Sequence, residues 1–373
     1  MTESNPSEKP LAHVERGDWP ASRGFWAEAW LRFRRRKLGM SALYFVGLLA
    51  IVAILSPAIA GTKPIVCRYK GSLYFPAMAY FNSRWENPVF YRDKFYKRYP
   101  EHMKEKDPDS WAIYPLVFQD PYRRVKDGEW EGQPGNPTGA DGVPSRYNWF
   151  GTTQAGVDVF AQMVHGTKIA LLIGFVSTGI AAIIGIAIGA LAGYYQGWVD
   201  VLLSRVIEVV MCIPALVLIL ALMAIVEDPK IWHIMAVLGA TGWTGIARLT
   251  RGEFLKLKQA EFVTGARALG TGRVRIMWRH ILPNALAPVL VPITFGIAAA
   301  ILTESALSFL GFGAPPPNPS WGTTLNAGRT SNLQNWWLIL FPGIAIFLTV
   351  LAYNLIGEGV QASTDPRLRE GTK

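Results

Sequence analysis

The chain has 373 residues, half of them apolar and only 17% charged, with a formal net charge of +10. A soluble domain carries about 25% charged residues, so this balance argues against a disordered, fibrous or nucleic-acid-binding chain despite the positive sign. Two cysteines far apart, Cys67 and Cys212, exclude a small disulfide scaffold.

Residues 1 to about 20 are polar and carry Pro6, Pro10 and Pro20, which reads as a disordered tail. Phe25, Trp26, Trp30 and Phe33 then interleave with arginines. That pattern fits a short helix lying in the membrane interface, or equally a plain juxtamembrane extension. Six uncharged runs follow: 39–60, 169–199, 209–226, 231–247, 281–303 and 330–357. A bilayer-spanning helix needs about 20 predominantly apolar residues. The expectation is an all-α membrane protein with six transmembrane helices. The first run ends in Ala58-Ile59-Ala60, which resembles a signal cleavage site. Its length and the 38 residues ahead of it favour a retained anchor.

Lysine and arginine set the orientation. Arg32, Arg34, Arg35, Arg36 and Lys37 precede the first run, Arg367, Arg369 and Lys373 follow the last, and eight Lys or Arg against two Glu lie between Arg248 and Arg279. All three patches fall on one side if the N- and C-termini are cytoplasmic. The positive charge is thus explained by topology, and no nucleic-acid partner is expected. The resulting organisation is a cytoplasmic tail and interfacial helix (1–38), a first span (39–60), an external, periplasmic insertion (61–165), a five-helix membrane domain (166–358) and a cytoplasmic tail (359–373).

The insertion is rich in aromatics. Its 90–106 stretch is charged and aromatic and suits a helix, and 132–144, with three Pro and four Gly, reads as loop. Gly185, Gly189, Gly193 and Gly197 recur every four residues. Small residues at that spacing let two helix backbones approach closely, so this stripe is read as packing and not as a ligand site.

The cytoplasmic segment 251–282 is the most informative. Phe262, Ala266 and Leu269 fall on one helical face, Gly270 suits a helix stop, and Pro283 suits the first turn of the next helix. A short exposed helix with an apolar face calls for a docking partner. Around it stand Thr264-Gly265-Ala266, Gly270 and His280-Ile281-Leu282-Pro283, with Glu261 three residues upstream of Thr264. This arrangement resembles the signature loop of ABC importer permeases: Glu-Ala-Ala, three residues, Gly, nine residues, Ile-x-Leu-Pro. Thr264, Gly265 and His280 depart from the family's Glu, Ala and Ile. Further stretches resemble the C-type subunit of oligopeptide and dipeptide permeases. They are the leader Arg32-Phe-Arg-Arg-Arg-Lys-Leu38, the segment Trp149-Phe-Gly-Thr-Thr153 with Asp158-Val159 and Gly166, Glu304-Ser-Ala-Leu-Ser-Phe-Leu-Gly311, Pro319-Ser-Trp-Gly322 and Asp365-Pro-Arg-Leu-Arg369. Gln154 and Val157 depart from that pattern. The insertion is longer than in most such subunits. Its Gly71-Ser-Leu-Tyr-Phe-Pro76 and Trp111-Ala-Ile-Tyr-Pro115 resemble the long-insert permease of the microcin C-type peptide importer.

The resemblance implies a type I ABC importer permease fold and a transport subunit for peptides in the bacterial inner membrane. Its implied partners are a second homologous permease, two cytoplasmic ATPases that use ATP and Mg, and a periplasmic solute-binding protein. Glu261, Thr264, Gly265, Ala266, Gly270, Ile281, Leu282 and Pro283 would form the ATPase-coupling loop. Glu304, Ser308, Phe309 and Trp321 are candidates for the translocation pathway or gate, because a charge within a span usually faces a cavity or a partner. Glu304 could equally sit near the outer end, hydrogen-bonded to structure. The Pro-rich stretch 311–321 suits a broken helix or re-entrant loop on the outer side. No phosphate-binding Gly-x-x-x-x-Gly-Lys-Ser/Thr is present, so ATP hydrolysis is expected in a partner. The five histidines are scattered, and neither a catalytic residue, a metal nor a cofactor is expected in this chain. A nickel complex or an oligosaccharide is an alternative substrate within the same class, and a non-transporting membrane scaffold is a reading from another class.

Overall fold

The computed structural model describes residues 24–82, 85, 99–130, 132–227, 229–313, 318–330 and 334–364, without the side chains of 99–102. The expected tail over 1–20, residues 90–98, the Pro-rich residues 314–317 and Asp365–Arg369 lie outside them. In chain order the helices are α1 (Phe25–Arg35) and α2 (Lys37–Ile59), then α3 (Tyr99–Lys106), α4 (Val159–Tyr195), α5 (Gly197–Cys212), α6 (Ala215–Ala224) and α7 (Ile231–Leu257). They continue with α8 (Glu261–Ala268), α9 (Arg273–Phe309), α10 (Trp321–Thr330) and α11 (Trp337–Thr364).

Among the described residues α2, α4, α9 and α11 are long and apolar enough to cross a membrane, and a bent pair, α5 with α6, could supply a fifth crossing. The expected count of six is not reached on these grounds. The 209–226 run is not one straight span: the chain turns by 83° between α5 and α6. Pro214 explains the break. It has no N–H to donate and forces the residue before it out of the helical region, and Ile213 is extended at φ −85, ψ 126. The 231–247 run opens α7, where Gly, Thr and Trp dilute its apolar character. The 169–199 run ends early, because Gln196 and Gly197 both adopt positive φ and reverse the chain into α5.

Helix α4 is the central column. At 37 residues it extends about 55 Å, well beyond a hydrocarbon core of about 30 Å. It packs along its length on α7, and also on α9 and α2. The glycine stripe permits the first contact. A Cβ on Gly185 would lie 2.8 Å from the Trp243 carbonyl, on Gly189 2.4 Å from the Ala247 carbonyl, and on Gly193 2.6 Å from the Arg251 carbonyl. Gly197 is not part of this stripe: it lies past the helix end at φ +59 with open space around it. A second core joins α2, α4, α9, α10 and α11 through Ala42, Val46, Ala170, Ile301, Trp321, Trp337 and Tyr353.

The insertion contains a small sheet that periodicity did not reveal, in the order β2 (Ser72–Tyr74), β1 (Val66–Tyr69), β3 (Trp111–Ile113), all antiparallel. Strands of three or four residues are too short to show an alternation. Lys70 and Gly71, both at positive φ, form the two-residue hairpin turn. The insertion is fixed by buried polar groups. Thr62 Oγ1 (2.9 Å) and Tyr80 Oη (3.1 Å) both donate to Asp120. The His165 ring of α4 meets the Ala60 carbonyl at 2.8 Å. Gln119, Asn136 and Asn148 form a chain of amides that ends on Asp158, where Asn148 donates at 2.7 Å.

Asp158 also caps α4, accepting from the Ala161 N–H at 2.7 Å. Burial pushes its carboxyl from 3.8 up to about 6, against the opposing pull of those hydrogen bonds. Between these two values the folded chain holds a proton that the unfolded chain has released. The group's contribution to stability is therefore full below about pH 4, falls as pH rises to about 6, and is flat above. Asp158→Asn keeps an acceptor for the cap and cannot titrate. We expect the melting temperature of the wild-type chain, relative to that of Asp158→Asn in detergent, to fall from pH 4 to pH 6 and then stay constant. Parallel profiles across that window would remove Asp158 as the source.

Candidate functional site

The 251–282 segment forms a short lever. Gln259 and Ala260 close the turn after α7, and α8 starts with Glu261 in its first turn, where a carboxylate complements the helix dipole. Val263 is fully buried and packs into a cluster with Phe254, Ile276, Met277 and Ile281. The remainder of α8 faces out: Glu261, Thr264, Gly265 and Gly270 are exposed, and Ala266 is half-buried. Phe262 (43% exposed) and Leu269 (88% exposed) form an exposed apolar face. A helix this short is marginal by itself, so its ends matter. Gly270 sits at φ +76, its N–H bonds to the Arg267 carbonyl, and the Thr271 N–H bonds back to the Ala266 carbonyl. These two bonds form a Schellman cap, which requires a left-handed residue where Gly270 stands. Space around Gly265 is open, so nothing in the packing demands glycine there.

The other half of the motif behaves differently. Ile281 is fully buried, Leu282 half-buried and Pro283 exposed. Pro283 stands in the first turn of the α-helical stretch Leu282–Phe309, as expected, although that stretch does not start a separate helix. Helix α9 already begins at Arg273, and Pro283 follows a π-helical turn over Ile276–Ile281. Proline has no N–H to return to the preceding turn, and the wider turn accommodates that loss. The Asn284 side chain donates to the His280 carbonyl at 2.7 Å. The residues of the motif thus divide into an outward docking face on α8 and an inward anchor at the root of α9.

Two residues outside the motif connect the lever to the rest of the bundle. Lys258 Nζ donates to the Tyr194 carbonyl (2.6 Å) and to Gln196 Oε1 (3.0 Å). Arg251 makes a two-pronged ion pair with Asp200, at 2.5 and 2.7 Å. Both clamps hold the α4–α5 reversal against the end of α7, just ahead of α8. Sequence reasoning missed them because the partners are 51 to 64 residues apart. Beside the lever, α1, α7, α9 and α11 enclose a groove of about 560 Å³ lined by Phe25, Glu253, Lys256, Asn284 and Gln361.

The pathway candidates converge at the junction of α4, α9 and α10. Glu304 is 1% exposed and accepts from Ser308 Oγ at 2.6 Å. Ser308 in turn accepts from Ser320 Oγ at 3.1 Å, and the Ser305 and Ser320 hydroxyls also face the carboxyl. Trp321 is buried, and its indole N–H donates to the Met163 carbonyl at 3.0 Å. Phe309 is half-buried beneath the Arg329 guanidinium, 5.2 Å from its ring. Gly322 closes the cluster, since a Cβ there would lie 2.5 Å from Ser308. Glu304, Ser308 and Trp321 are therefore sealed inside this chain. A cavity of about 250 Å³ between α4, α6, α7 and α9, lined by Thr178, Thr241, Pro292 and Thr303, runs beside the cluster without reaching Glu304.

Comparison with known proteins gives a consistent set of relatives. Residues 185–370 match the family described as the binding-protein-dependent transport system inner membrane component. Residues 24–70 match the N-terminal transmembrane domain of oligopeptide transport permease C. The inner membrane ABC transporter permease protein YejE of Escherichia coli is 34% identical over 345 residues, covering 90% of this chain and 96% of that one. The dipeptide transport system permease protein DppC of Alkalihalophilus pseudofirmus is 38% identical over 234 residues, covering 63% of this chain and 77% of the relative. The peptidoglycan transport system permease protein YejE of Agrobacterium fabrum is 31% identical over 357 residues, with coverages of 91% and 92%. A match over nine tenths of the chain takes in most of the external insertion.

Proposed function

The chain belongs to the binding-protein-dependent transport system inner membrane components, in the oligopeptide and dipeptide permease branch, and from this premise we propose how it works. It is a multi-pass inner-membrane permease subunit of an ABC importer, and its substrates are peptides. It is a transport component, and ATP is hydrolysed with Mg in two partner ATPases on the cytoplasmic side. A second, homologous permease completes the pathway, and a periplasmic binding protein delivers the substrate. Both termini are cytoplasmic, and the 61–165 insertion is periplasmic.

The observation that carries this reading is the exposed apolar face of α8, set on the firmly packed root of α9. The arrangement is mechanical. Glu261, Thr264, Gly265, Ala266 and Gly270 present the docking surface, while Ile281, Leu282 and Pro283 join it to a helix that runs through the bundle. Motion of an ATPase against α8 is passed through Val263 to α9 and through Lys258 to the α4–α5 reversal. Glu304, Ser308, Phe309 and Trp321 keep α9 and α10 together so that they move as one body beside the pathway.

The test is mass spectrometry of what copurifies with the chain from gently solubilised membranes. We expect a second permease, a phosphate-loop ATPase and a binding protein that retains peptides. Recovery of the chain without any ATPase would favour a scaffold, and a binding protein loaded with a sugar or a nickel complex would reassign the substrate.

A further inference from the structure

The β2–β1–β3 sheet of the insertion has one covered face and one that is bare among the described residues. Cys67, Tyr69, Tyr74 and Ala112 point inward to Met103. Side chains alternate along a strand, and residues paired across an antiparallel ladder share a face. Arg68 pairs with both Leu73 and Trp111, and Val66 pairs with Ile113. Leu73, Trp111 and Ile113 thus share the outer face with Arg68, and all three are exposed. Leu116, just beyond β3, is 86% exposed. A contiguous apolar patch of this kind marks an interaction surface.

Its position in the chain indicates what covers it. Tyr44, Leu48, Ile51 and Leu55 form the exposed stripe of α2, spaced three or four residues apart, and Ala58 is the next position on that stripe. The Ala58 carbonyl accepts the Leu116 N–H at 3.1 Å, and the Ile59 carbonyl accepts the Val117 N–H at 2.9 Å. Ile65 N–H donates to the Ile113 carbonyl at 2.8 Å. The sheet is therefore stitched to the last turn of a span, directly past its lipid-facing stripe, at the level where a bilayer meets water. Tryptophan and arginine beside aliphatic side chains suit that level, because their apolar bodies bury while their polar ends remain hydrated.

We propose that the outer face of this sheet, with Leu116, lies on the outer leaflet and anchors the insertion to the lipid surface. A nitroxide scan of the full-length chain in nanodiscs of mixed zwitterionic and anionic lipid tests this, in a Cys212→Ser background that leaves only the buried Cys67. Labels placed through Leu73→Cys, Ile113→Cys and Leu116→Cys should collide more with oxygen than with a water-soluble nickel chelate, as should the α2 reference Ile51→Cys. Glu105→Cys, exposed on α3 of the same insertion, should show the opposite preference. If the three sheet labels behave like position 105, the face is in water, the proposal fails, and a protein partner becomes the occupant. Measuring three separate positions keeps the test valid should one substitution disturb the fold.

Discussion

Phe262→Asp combined with Leu269→Asp is expected to abolish uptake while leaving the amount and thermal stability of the chain in the membrane unchanged. Neither side chain is buried within the chain, and exposed substitutions away from special features shift stability by about 0.5 kcal/mol or less. At a docking interface the same residues act as anchors. Losing one apolar anchor costs roughly 1–3 kcal/mol, so losing two and introducing two charges weakens association at least about 100-fold. The readout is retention of the ATPase on the purified chain, alongside uptake in cells. Wild-type retention and uptake would show that α8 is not the docking element. Two neighbouring variants separate docking from folding. Val263→Asp buries a charge in the cluster beneath α8 and should reduce the amount of folded chain. Gly270→Val forces a branched residue into the left-handed position of the Schellman cap, at about 1–2 kcal/mol. It should impair coupling more than membrane insertion.

Gly189→Leu should eliminate folded protein altogether. The first atom of any side chain at this position would lie 2.4 Å from the Ala247 carbonyl and 2.7 Å from Thr250 Cβ. Both obstacles belong to α7, and one is backbone, so no rotamer change relieves the clash. Overpacking of a close-packed interior costs typically 1–3 kcal/mol. Here the remedy is separation of the two helices over their shared length, which brings the total to the scale of a domain's whole stability. Even Gly189→Ala should lower the melting temperature measurably. Gly179→Ala on the same helix is the control: its Cβ meets nothing within 4 Å, and alanine is the better helix former by about 1 kcal/mol. Its melting temperature should hold or rise. Equal tolerance of both alanine variants would mean that α4 and α7 do not depend on this close approach.

Much of the molecule could be read from local sequence. The apolar runs announced most of the spanning helices, because a bilayer demands a length and a composition that are visible in one stretch of chain. The four-residue glycine spacing announced a close helix contact without naming α7 as the partner. Gly270 announced a helix stop because so few residues adopt a left-handed conformation at low cost. The apolar positions of 261–269 gave the short helix and its exposed face of Phe262 and Leu269, but not that Val263 would turn inward.

What tertiary structure alone decided has a common physical character: it depends on partners distant in sequence. The clamps of Arg251 on Asp200 and Lys258 on Tyr194 join helices through pairings that no local pattern encodes. Pro214 lies inside the 209–226 run read as one span, and the fold turns there by 83° between two helices. Glu304 stood out as a charge in an apolar run. Its burial against Ser308 and Ser320 came from α10 folding back over α9. The strands of the insertion are too short for a period to appear, and they exist because β1 finds β3 some forty residues further along the chain. Sequence by itself therefore determined where the long apolar segments lie and which short helix waits for a partner. Long-range packing determined which face each residue shows, since a side chain's neighbours, and not its own propensity, settle whether it anchors, docks or meets lipid.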